Sequence, residues 1–587
     1  MLAQKRKDAP EEVGGCLDKE TQEFRYSVVR TLLGCGIPLE KLDSGLGALL
    51  SRSGNSVPKS CGLRQYIPLV LEAEEMALLE DISGQWLCWV YDGMTRVGEA
   101  IALLVRYCTA DFHVVYRLVG LKTAQKHMNG SQLSGTLIRL MTQRAGPPSL
   151  DFTLAAARDS CATNGVAMRS LQNSVLPNVL DVHCISHTLH NCAKHMEFEV
   201  LEEWLTPWFK LMAHSHAAKA IWKGIIDGTV KLFSKVRWWS RWECAEELAK
   251  NFHLLPQLLD ELVKQSVGDA TTATLVSIWE DAIKNAKLEL ELAVIMDASI
   301  FCIKTYRLEG NRLELLLVHE DIEAVRAKGY ALAASDKASA MPNTAAVLRK
   351  RTTLRVGTPI YEWFGPPYSK YFKGKVTKIP TAAAPNTYTV TYEDRNTIEV
   401  GTEELRSTVD IRDQDGWKSS RAHLTAAFTY LENRLTDNCD APYQLSTLYD
   451  VYEAVRAFDP TFVNTGAVDT DFVSDRVAAI PWIDMATKRK LLAELPDYLV
   501  LCRSCTVGRG DATAFSEAVL TFWREVPDKI STWAFEARRA FCLTPNSAAS
   551  ERVFSRLKAS FTDTQLASLS DYLEAALMLA VNQRVLG

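Results

Sequence analysis

The chain has 587 residues, of which 47% are hydrophobic and 23% charged, and its formal net charge at pH 7 is −5. This length exceeds what one hydrophobic core usually holds, so we expect two to four domains of a globular protein. No apolar run reaches the ~20 residues that span a bilayer, which argues against a membrane protein. Because the net charge is negative, a nucleic-acid partner would need local basic patches.

The N-terminal residues 1–20 are polar and predicted to be disordered, and they lack the apolar segment of a signal peptide. Residues 21–80 show helical periodicity, with a break at Gly36 and Pro38. The 14 cysteines are scattered, which favours reduced thiols in the cytosol or nucleus over a disulfide framework.

Residues 81–175 alternate between strand and helix patterns. "QWLCWVYDG", "EAIALLVRYC" and "FHVVYRLVGL" read as three consecutive strands, the first ending at Asp92 and Gly93. A helix over "GSQLSGTLIRLMTQRAG", a strand ending at Asp159 and a helix over "CATNGVAMRSLQNSV" follow. This order predicts a mixed sheet whose fourth strand is parallel to the first.

If the fourth strand lies beside the first, Asp92 and Asp159 come together at one edge of the sheet. Two neighbouring carboxylates repel each other unless a cation lies between them, and hydrated Mg²⁺ prefers such oxygen ligands. Two structural interpretations stay open. Asp159 would also serve as an N-cap of the next helix, and Asp92-Gly93 as a turn.

The stretch "VHCISHTLHN" is rich in metal-ligating side chains. A zinc site would need a second ligand pair at defined spacing, and none is evident nearby. The spacing therefore favours a packed helix with partly buried histidines over a metal site. The residues in question are His183, Cys184, His187, His190, Cys192 and His195.

The second half of the chain changes in character. Residues 246–348 have helical patterns, and four short strand patterns with intervening turns follow: "VGTPIYEWFG", "KYFKGKVTKI", "NTYTVTYEDRN" and "TIEVGTEEL". They resemble a Tudor-like, SH3-type small barrel over roughly residues 352–408. Such a barrel binds methylated lysine, for instance in a histone tail, through an aromatic cage. The candidate cage residues are Tyr361, Phe364, Tyr371, Tyr388 and Tyr392.

Two alternatives to a cage stay open for this segment. Alternating aromatic side chains in strands usually belong to the core of the barrel. Residues 349–378 also carry eight Lys or Arg and only Glu362 as an acid, a composition that suits a phosphate backbone.

Five motifs occur in a fixed order along the chain: "YDGMT", "RDSCATN", "CISHTLHN", "VRWWSRW" and "SAASERVFS". Together they resemble the hAT family of DNA transposases and their domesticated descendants, over roughly residues 20–245 and 515–584. In this comparison "CISHTL" matches the family's C-x-x-H-x-L signature, and "SAASERVFS" is the most specific match.

The resemblance implies an RNase H-like fold of the α/β class, a mixed sheet interrupted by a large, mainly helical insertion that carries the small SH3/Tudor-like barrel. The domains would be a disordered N-terminus, an N-terminal helical region, the first part of the core, a helical insertion around the barrel, and the last part of the core with the hAT C-terminal region. In this order, the N-terminus would cover residues 1–20, the N-terminal helical region 21–80 and the first part of the core 81–245. The insertion would cover 246–348 and 411–515, the barrel within it 349–410, and the last part of the core 516–587.

The resemblance also implies catalytic residues and a cofactor. Glu551 would join Asp92 and Asp159 as the third acid, and the three would hold Mg²⁺ or Mn²⁺ for cutting and joining DNA in the nucleus. The family's tryptophan, matched by Trp238, stacks on a flipped base. The residues expected at DNA are Cys184, His187, Arg237, Trp238, Trp239 and Arg552.

Two functions stay open on this evidence. hAT transposases usually carry an N-terminal BED zinc finger, but the first 80 residues contain three cysteines and no histidine, so a Cys₂His₂ finger cannot form there. The retained acids favour an active cut-and-paste transposase, whereas the missing finger and the added barrel favour a domesticated, inactive DNA- or chromatin-binding regulator.

The C-terminal segment "ASLSDYLEAALMLAVNQ" has a helical apolar stripe. The family's block is called a dimerisation region, which implies a homo-oligomer. Glu551 must nevertheless reach the active site from the same block. We therefore expect the helix to pack mainly on its own sheet. The stripe consists of Leu569, Leu573, Ala576, Leu577 and Ala580.

Overall fold

The computed structural model describes residues 18–582, except 53–56, 95–98, 125–126, 197, 233–237, 311, 334–336, 353–355, 365–369, 382–383, 385–386, 402–412, 436–445 and 561–569. The chain divides into two compact units. We call them the sheet unit (Met1–Cys184, Gly310–Leu316 and Asp450–Gly587) and the helical unit (Ile185–Glu309 and Leu317–Tyr449).

A mixed five-stranded sheet forms the centre of the sheet unit, in the order β3-β2-β1-β4-β5. The first three strands form an antiparallel meander, and β4 and β5 continue the sheet in parallel beside β1. The fourth strand is therefore parallel to the first, as the sequence predicts, and it lies directly beside it. The strands are β1 (Leu87–Met94), β2 (Glu99–Cys108), β3 (Val114–Ala124), β4 (Thr153–Arg158) and β5 (Leu180–His183).

Helices cover both faces of this sheet, which explains its apolar composition. The three alanines of β4, Ala155 to Ala157, are fully buried, because a parallel strand inside an α/β sheet is covered on both sides. Three helices matter most for the site. They are the Asn164 helix (Ala162–Gln172), the Glu551 helix (Ala548–Ser560) and the C-terminal helix (Ser570–Val581).

The edge strand β3 is covered by the C-terminal helix. The backbone N–H of Leu118 donates to Oδ1 of Asn582 over 2.8 Å, and that of Leu121 donates to Oε1 of Glu574 over 3.0 Å. An edge strand otherwise presents unpaired backbone groups to other chains. Leu573 is buried, so the helix packs on its own sheet as expected, although Leu569 lies outside the described residues.

The sheet unit also contains helices that precede the sheet, cross it or follow the insertion. Their bounds are Lys19–Gly34, Gly45–Ser51, Ser60–Leu63, Ile67–Ile82, Gly130–Arg144, Pro460–Phe462, Thr470–Asp475, Met485–Cys502, Ala512–Glu525 and Ser531–Phe541.

The helical unit contains a bundle of helices and a second, smaller sheet. Its helices are Ile185–Lys194, Glu199–His214, His216–Ile226, Trp238–Lys250, Leu255–Lys264, Asp269–Glu280, Ala282–Asp297, Ser299–Leu308, Lys337–Ala340, Pro342–Thr352 and Asp413–Leu435. Two further helices, Leu315–Ala333 and Ser446–Ala454, contain residues of both units, because a boundary between the units falls within each of these sequences.

The small sheet is an antiparallel meander in the order β6-β7-β8-β9, which confirms the four predicted strands. Its core is formed by Ile360, Val376, Val390, Tyr392 and Val400. The strands are β6 (Pro359–Phe364), β7 (Lys370–Lys378), β8 (Thr387–Tyr392) and β9 (Thr397–Gly401).

The structure differs from the sequence-based description in three places. β1 continues to Met94, and the short strand β5 was not predicted. The first segment of the sheet unit ends at Cys184, whereas the first part of the core predicted from the sequence extends to residue 245. The predicted domain boundaries therefore stay a prediction. Among the described residues, no helix has the length and apolar character needed to cross a bilayer. The predicted disorder of residues 1–20 falls almost wholly outside the described residues.

Candidate active site

Two aspartates stand at the carboxyl ends of neighbouring parallel strands. Val90 of β1 lies opposite Ala157 of β4, so continuing both chains by two residues brings Asp92 opposite Asp159. Neighbouring strands lie about 4.8 Å apart, and every second side chain of a strand points to the same face. Both aspartates therefore lie side by side at the same edge of the sheet.

Each aspartate also makes a local hydrogen bond. The backbone N–H of Gly93 donates to Oδ1 of Asp92 over 2.8 Å, and that of Cys161 donates to Oδ1 of Asp159 over 3.0 Å. The turn and cap interpretations of the sequence are nevertheless both wrong, because Asp92 and Gly93 lie within β1 and Cys161 is the N-cap residue of the Asn164 helix. The second carboxylate oxygen of Asp159, Oδ2, accepts none of the hydrogen bonds found in the described part of the chain.

A buried asparagine holds the Asp159 carboxylate from the next helix. The side-chain amide of Asn164 donates to Oδ1 of Asp159, and its backbone carbonyl accepts a hydrogen bond from the Tyr91 hydroxyl over 3.4 Å. Tyr91 alternates with Asp92 along β1 and projects from the opposite face. The Asn164 helix therefore lies across the other face of the sheet, and burial there raises the pKa of Tyr91 well above its usual value.

A buried charge network supports the loop after β4. Arg158 donates to both carboxylate oxygens of Asp181, over 2.8 and 2.6 Å, and to the backbone carbonyl of Asp159 over 3.0 Å. His183 lies 3.1 Å from Arg158 and 3.2 Å from Asp181. Burial opposes the ionisation of Asp181, but the hydrogen bonds from His183 and Arg158 outweigh it and lower the pKa.

The Glu551 helix covers the face from which Asp92 projects. Val553 of this helix and Leu104 of β2 line the same cavity, and Leu104 pairs with Val90 of β1. Paired residues share a face, and Val90 and Asp92 are two positions apart on one strand. Glu551, in the first turn of the helix, is therefore carried on the same side of the sheet as Asp92.

These acids do not form a closed metal site as they stand. Among the described residues, no group of three or more His, Cys, Asp or Glu side chains is arranged to hold a metal ion. The chemistry of the donors fits Mg²⁺, because carboxylate oxygens are its preferred protein ligands. The arrangement supplies carboxylates at the ends of two adjacent strands.

The cysteine of the C-x-x-H motif contacts the C-terminal block. Cys184 is buried, and its Sγ accepts a hydrogen bond from the backbone N–H of Ser547 over 3.3 Å. His187 and His190 belong to the helix Ile185–Lys194, as does Cys192, whose thiol pKa burial raises. Two motifs separated by 363 positions thus meet in the sheet unit.

The remaining residues expected at DNA lie in two places. Trp238 and Trp239 begin a helix of the helical unit, but their side chains and all of Arg237 fall outside the described residues. Their neighbour Arg241 pairs with Glu202. In the sheet unit, Arg552 lines the cavity beside the Glu551 helix.

The small sheet gives its tyrosines different surroundings. Tyr392 is buried in the core, and Tyr388 packs against that core, which is the packing role that the sequence left open. The side chains of Tyr361, Phe364 and Tyr371 lie outside the described residues, so the aromatic cage stays a prediction.

Sequence reasoning missed the network of Arg158, Asp181 and His183, and the role of Asn164. One signal was available: Arg158 ends an otherwise apolar strand, and a charge buried in a strand requires a partner. Nothing in the sequence showed that the partner is Asp181, because β5 was not predicted.

The fold defines a mixed α/β protein with a five-stranded mixed sheet in one unit and a small antiparallel sheet in the other. Comparisons with protein-family models and with curated protein sequences found no match for this chain. A proposal for its function therefore rests on its residues and their geometry.

Proposed function

We propose that the protein is a hAT-type, transposase-like enzyme that binds DNA and cleaves and joins phosphodiester bonds on an RNase H-like core. The observation that carries this proposal is the pair Asp92 and Asp159, which lie side by side at the carboxyl ends of parallel neighbouring strands, in a sheet whose Asp92 face the Glu551 helix covers. The strand order β3-β2-β1-β4-β5 is the order expected of an RNase H-like sheet.

The chain's own residues divide the work in this proposal. Asp92 and Asp159 present carboxylate oxygens toward the scissile phosphate, and Asn164 and Arg158 fix the side chain and backbone of Asp159. A divalent cation, Mg²⁺ or Mn²⁺, would polarise the phosphate and stabilise the leaving oxygen when bound. Glu551 would complete the ligand set from the helix that covers the Asp92 face of the sheet.

DNA, a second copy of the chain and the nucleus belong to the same proposal. The hydrogen bond between Cys184 and Ser547 supports it, because it joins two of the five motifs. For the small sheet we propose contact with a phosphate backbone in preference to methylated lysine. Lys375 and Lys378 are exposed, whereas Tyr392 is buried in the core.

The proposal is tested by nicking of supercoiled DNA in Mg²⁺ or Mn²⁺. Asp92→Asn, Asp159→Asn and Glu551→Gln should each reduce the rate at least about 100-fold, since even outer-shell partners of a metal cost 10–100-fold. Asp151→Asn, an exposed aspartate before β4, is the matched control. Nicking that survives all three substitutions would remove the enzyme hypothesis.

A second candidate is a domesticated, inactive DNA- or chromatin-binding regulator. It is supported by the local hydrogen bonds of Asp92 and Asp159, in which one oxygen of each carboxylate accepts a backbone N–H without a metal. In that case DNA binding persists in the wild-type protein, while nicking is absent with either cation.

A further inference from the structure

Two cysteines lie three positions apart at the end of a helix in the sheet unit. Cys502 is the last residue of the helix Met485–Cys502, and Cys505 follows it after two residues. All other consecutive cysteines of the chain are at least eight positions apart, and both members of this pair are free thiols. The C-x-x-C spacing is typical both of thiol pairs that oxidise to a disulfide and of half a zinc site, so their surroundings must decide between the two.

The backbone between the two cysteines forms a tight turn. The N–H of Cys505 donates to the carbonyl of Cys502 over 3.0 Å, and Arg503 between them has φ −59° and ψ −26°. A hydrogen bond of this kind closes a turn in which the first and fourth Cα atoms lie less than about 7 Å apart. Disulfides join Cα atoms about 4.4–6.8 Å apart. The turn therefore holds the two residues at a separation that a disulfide bridges.

The two thiols differ in their access to solvent. Cys502 is fully buried, beside the buried Tyr498 hydroxyl, which interacts with the thiol and donates to the Ala457 carbonyl over 2.7 Å. Cys505 is partly exposed and begins the loop that leads to the next helix. A reagent dissolved in water therefore meets Cys505 first, and Cys502 reacts with whatever Cys505 has bound.

The loop that carries Cys505 is anchored at both ends. The side-chain amide of Asn464 donates to the Cys505 carbonyl over 3.2 Å. Arg509, four positions further on, pairs with the fully buried carboxylate of Asp459 and donates to the Thr461 hydroxyl over 3.3 Å. These contacts keep Cys505 beside Cys502, so each thiol meets the other at a high effective concentration.

A zinc site is the alternative for this spacing, but the further ligands are not in place. A structural zinc site has four ligands, and in the described ranges no three or more His, Cys, Asp or Glu side chains are grouped to hold a metal ion. The Asp459 carboxylate, whose charge acts on both thiols, is engaged by Arg509 and Thr461. The pair is therefore better suited to thiol–disulfide chemistry.

The surroundings of the thiols make their oxidation slow. Burial, followed by the negative charge of Asp459, raises the pKa of the Cys505 thiol. Burial also raises the pKa of the Cys502 thiol well above its usual value. Because the thiolate is the nucleophile in disulfide exchange, we expect the pair to stay reduced in brief exposure to an oxidant and to react over hours.

We propose that Cys502 and Cys505 are a redox-active dithiol that a low-molecular-weight disulfide, such as oxidised glutathione, converts reversibly into an intramolecular disulfide. The Cys505 thiol loses its proton, and its sulfur attacks one sulfur of the oxidant, breaks the S–S bond and releases one thiol. The Cys502 thiol then loses its proton, and its sulfur attacks the Cys505 sulfur and releases the second thiol. One S–S bond of the oxidant is thus exchanged for one S–S bond of the protein, and the two protons and two electrons of the dithiol pass to the released thiols. This inference is independent of the proposed enzyme function.

The test is mass spectrometry of the full-length protein after incubation with oxidised glutathione, alkylation of the remaining thiols with iodoacetamide, and tryptic digestion without a reductant. Trypsin cleaves after Arg503, so the two cysteines fall on separate peptides, 491–503 and 504–509. A disulfide joins these peptides into one species, which dithiothreitol separates. The joined species should exceed the glutathione adduct of peptide 504–509 at least about tenfold, because the intramolecular thiol acts at an effective concentration of the order of mM or more.

Two variants establish the order of the steps. Cys502→Ser should stop at the mixed disulfide, so the glutathione adduct of peptide 504–509 accumulates. Cys505→Ser should leave the buried Cys502 without glutathione. Exposed Cys161 is the internal control, because it should carry glutathione without a cross-link. Each variant is first checked for an unchanged melting transition, and Cys502→Ala replaces Cys502→Ser if the buried hydroxyl unfolds the protein.

Three results would overturn the inference, and the wild-type protein alone is sufficient to obtain them. In the first, Cys161 carries glutathione while the joined peptides are absent. In the second, Cys502 or Cys505 is linked to a different cysteine. In the third, the two thiols resist alkylation before any oxidant is added and become reactive with a chelator but not with dithiothreitol, which would assign them to a metal site.

Discussion

The two sheets of this protein are completed in different ways. The five-stranded sheet is closed by segments hundreds of positions away, since Asn582 and Glu574 bond to β3 and Ser547 bonds to Cys184. The small sheet is a meander of consecutive strands between Pro359 and Gly401. The buried core residues described for it, Ile360, Val376, Val390, Tyr392 and Val400, all lie on these strands.

On the exposed side of the small sheet, the side-chain contacts are likewise between strands that are close in sequence. Thr391 lies 3.2 Å from both Thr377 and Thr397 through the hydroxyl oxygens, which forms a ladder across three adjacent strands. Such cross-strand pairs are the usual unit of stability in an antiparallel sheet. The comparison predicts that damage to the large sheet spreads through its unit, whereas damage to the small sheet stays local.

The largest effect is expected for Leu573→Asp in the C-terminal helix. Leu573 is 2% exposed, so the variant places a carboxylate among apolar side chains and should destabilise the sheet unit by roughly 3–5 kcal/mol. Thermal unfolding and sedimentation measure the effect, with exposed Leu49→Asp as the control. A dimer that separates into stable, fully folded monomers would show that this stripe faces a partner.

A smaller loss is expected for Asp181→Asn in β5, roughly 2 kcal/mol, the range for hydrogen bonds to charged groups. The pKa of Asp181 is lower in the folded protein than its usual value, so its contribution is present above the usual aspartate pKa and is lost as the pH falls through the folded pKa. Unfolding measured from pH 7 to 3 should show a flatter acid limb in the variant. A parallel shift at all pH values would contradict this prediction.

A local effect is expected for Gly374→Ala in β7. A Cβ at this position would lie 2.8 Å from Tyr392 and 2.9 Å from Val390, and overpacking of this kind costs about 1–3 kcal/mol. Hydrogen exchange should accelerate in β6 to β9 and stay unchanged in the five-stranded sheet. Gly508→Ala, where an added Cβ meets nothing within 4 Å, is the control.

The smallest effect on the sheet unit is expected from deleting residues 349–410. Because the small sheet has its own core, the deletion should leave the melting of the five-stranded sheet cooperative and within a few degrees of the intact protein. Aggregation of the deletion variant on expression or on mild heating would mean that the small sheet is part of a larger core.

Much of the large sheet was predictable because its strands carry strong local patterns. The runs that became β1 to β4 are apolar and bounded by turn residues, and the crossover rule then makes β4 parallel to β1. The position of β4 beside β1, which brings Asp92 and Asp159 together, is supplied by the structure. β5 was not predicted because only four residues, Leu180–His183, form it, and because the neighbouring histidines indicate a metal site rather than a strand.

The supports of the site could not be predicted in the same way. The side chain of Asn164, on a helix that covers the face of the sheet opposite to Asp92, donates to Asp159. Arg158 pairs with Asp181, which lies 23 positions later on β5. These contacts depend on how elements pack, which local periodicity does not encode. The position of Glu551 relative to the aspartates depends on the same packing, because Asp159 and Glu551 are 392 positions apart along the chain.

The asparagine that closes the edge of β3 has a consequence for synthesis of the chain on the ribosome. Leu118 and Asn582 are 464 positions apart. At about 5–20 residues per second, the ribosome needs roughly half a minute to a minute and a half to synthesise the chain between them. During that interval the nascent chain holds β3 without the side chains that cover it. We expect this strand to be the part of the newborn protein most in need of a chaperone.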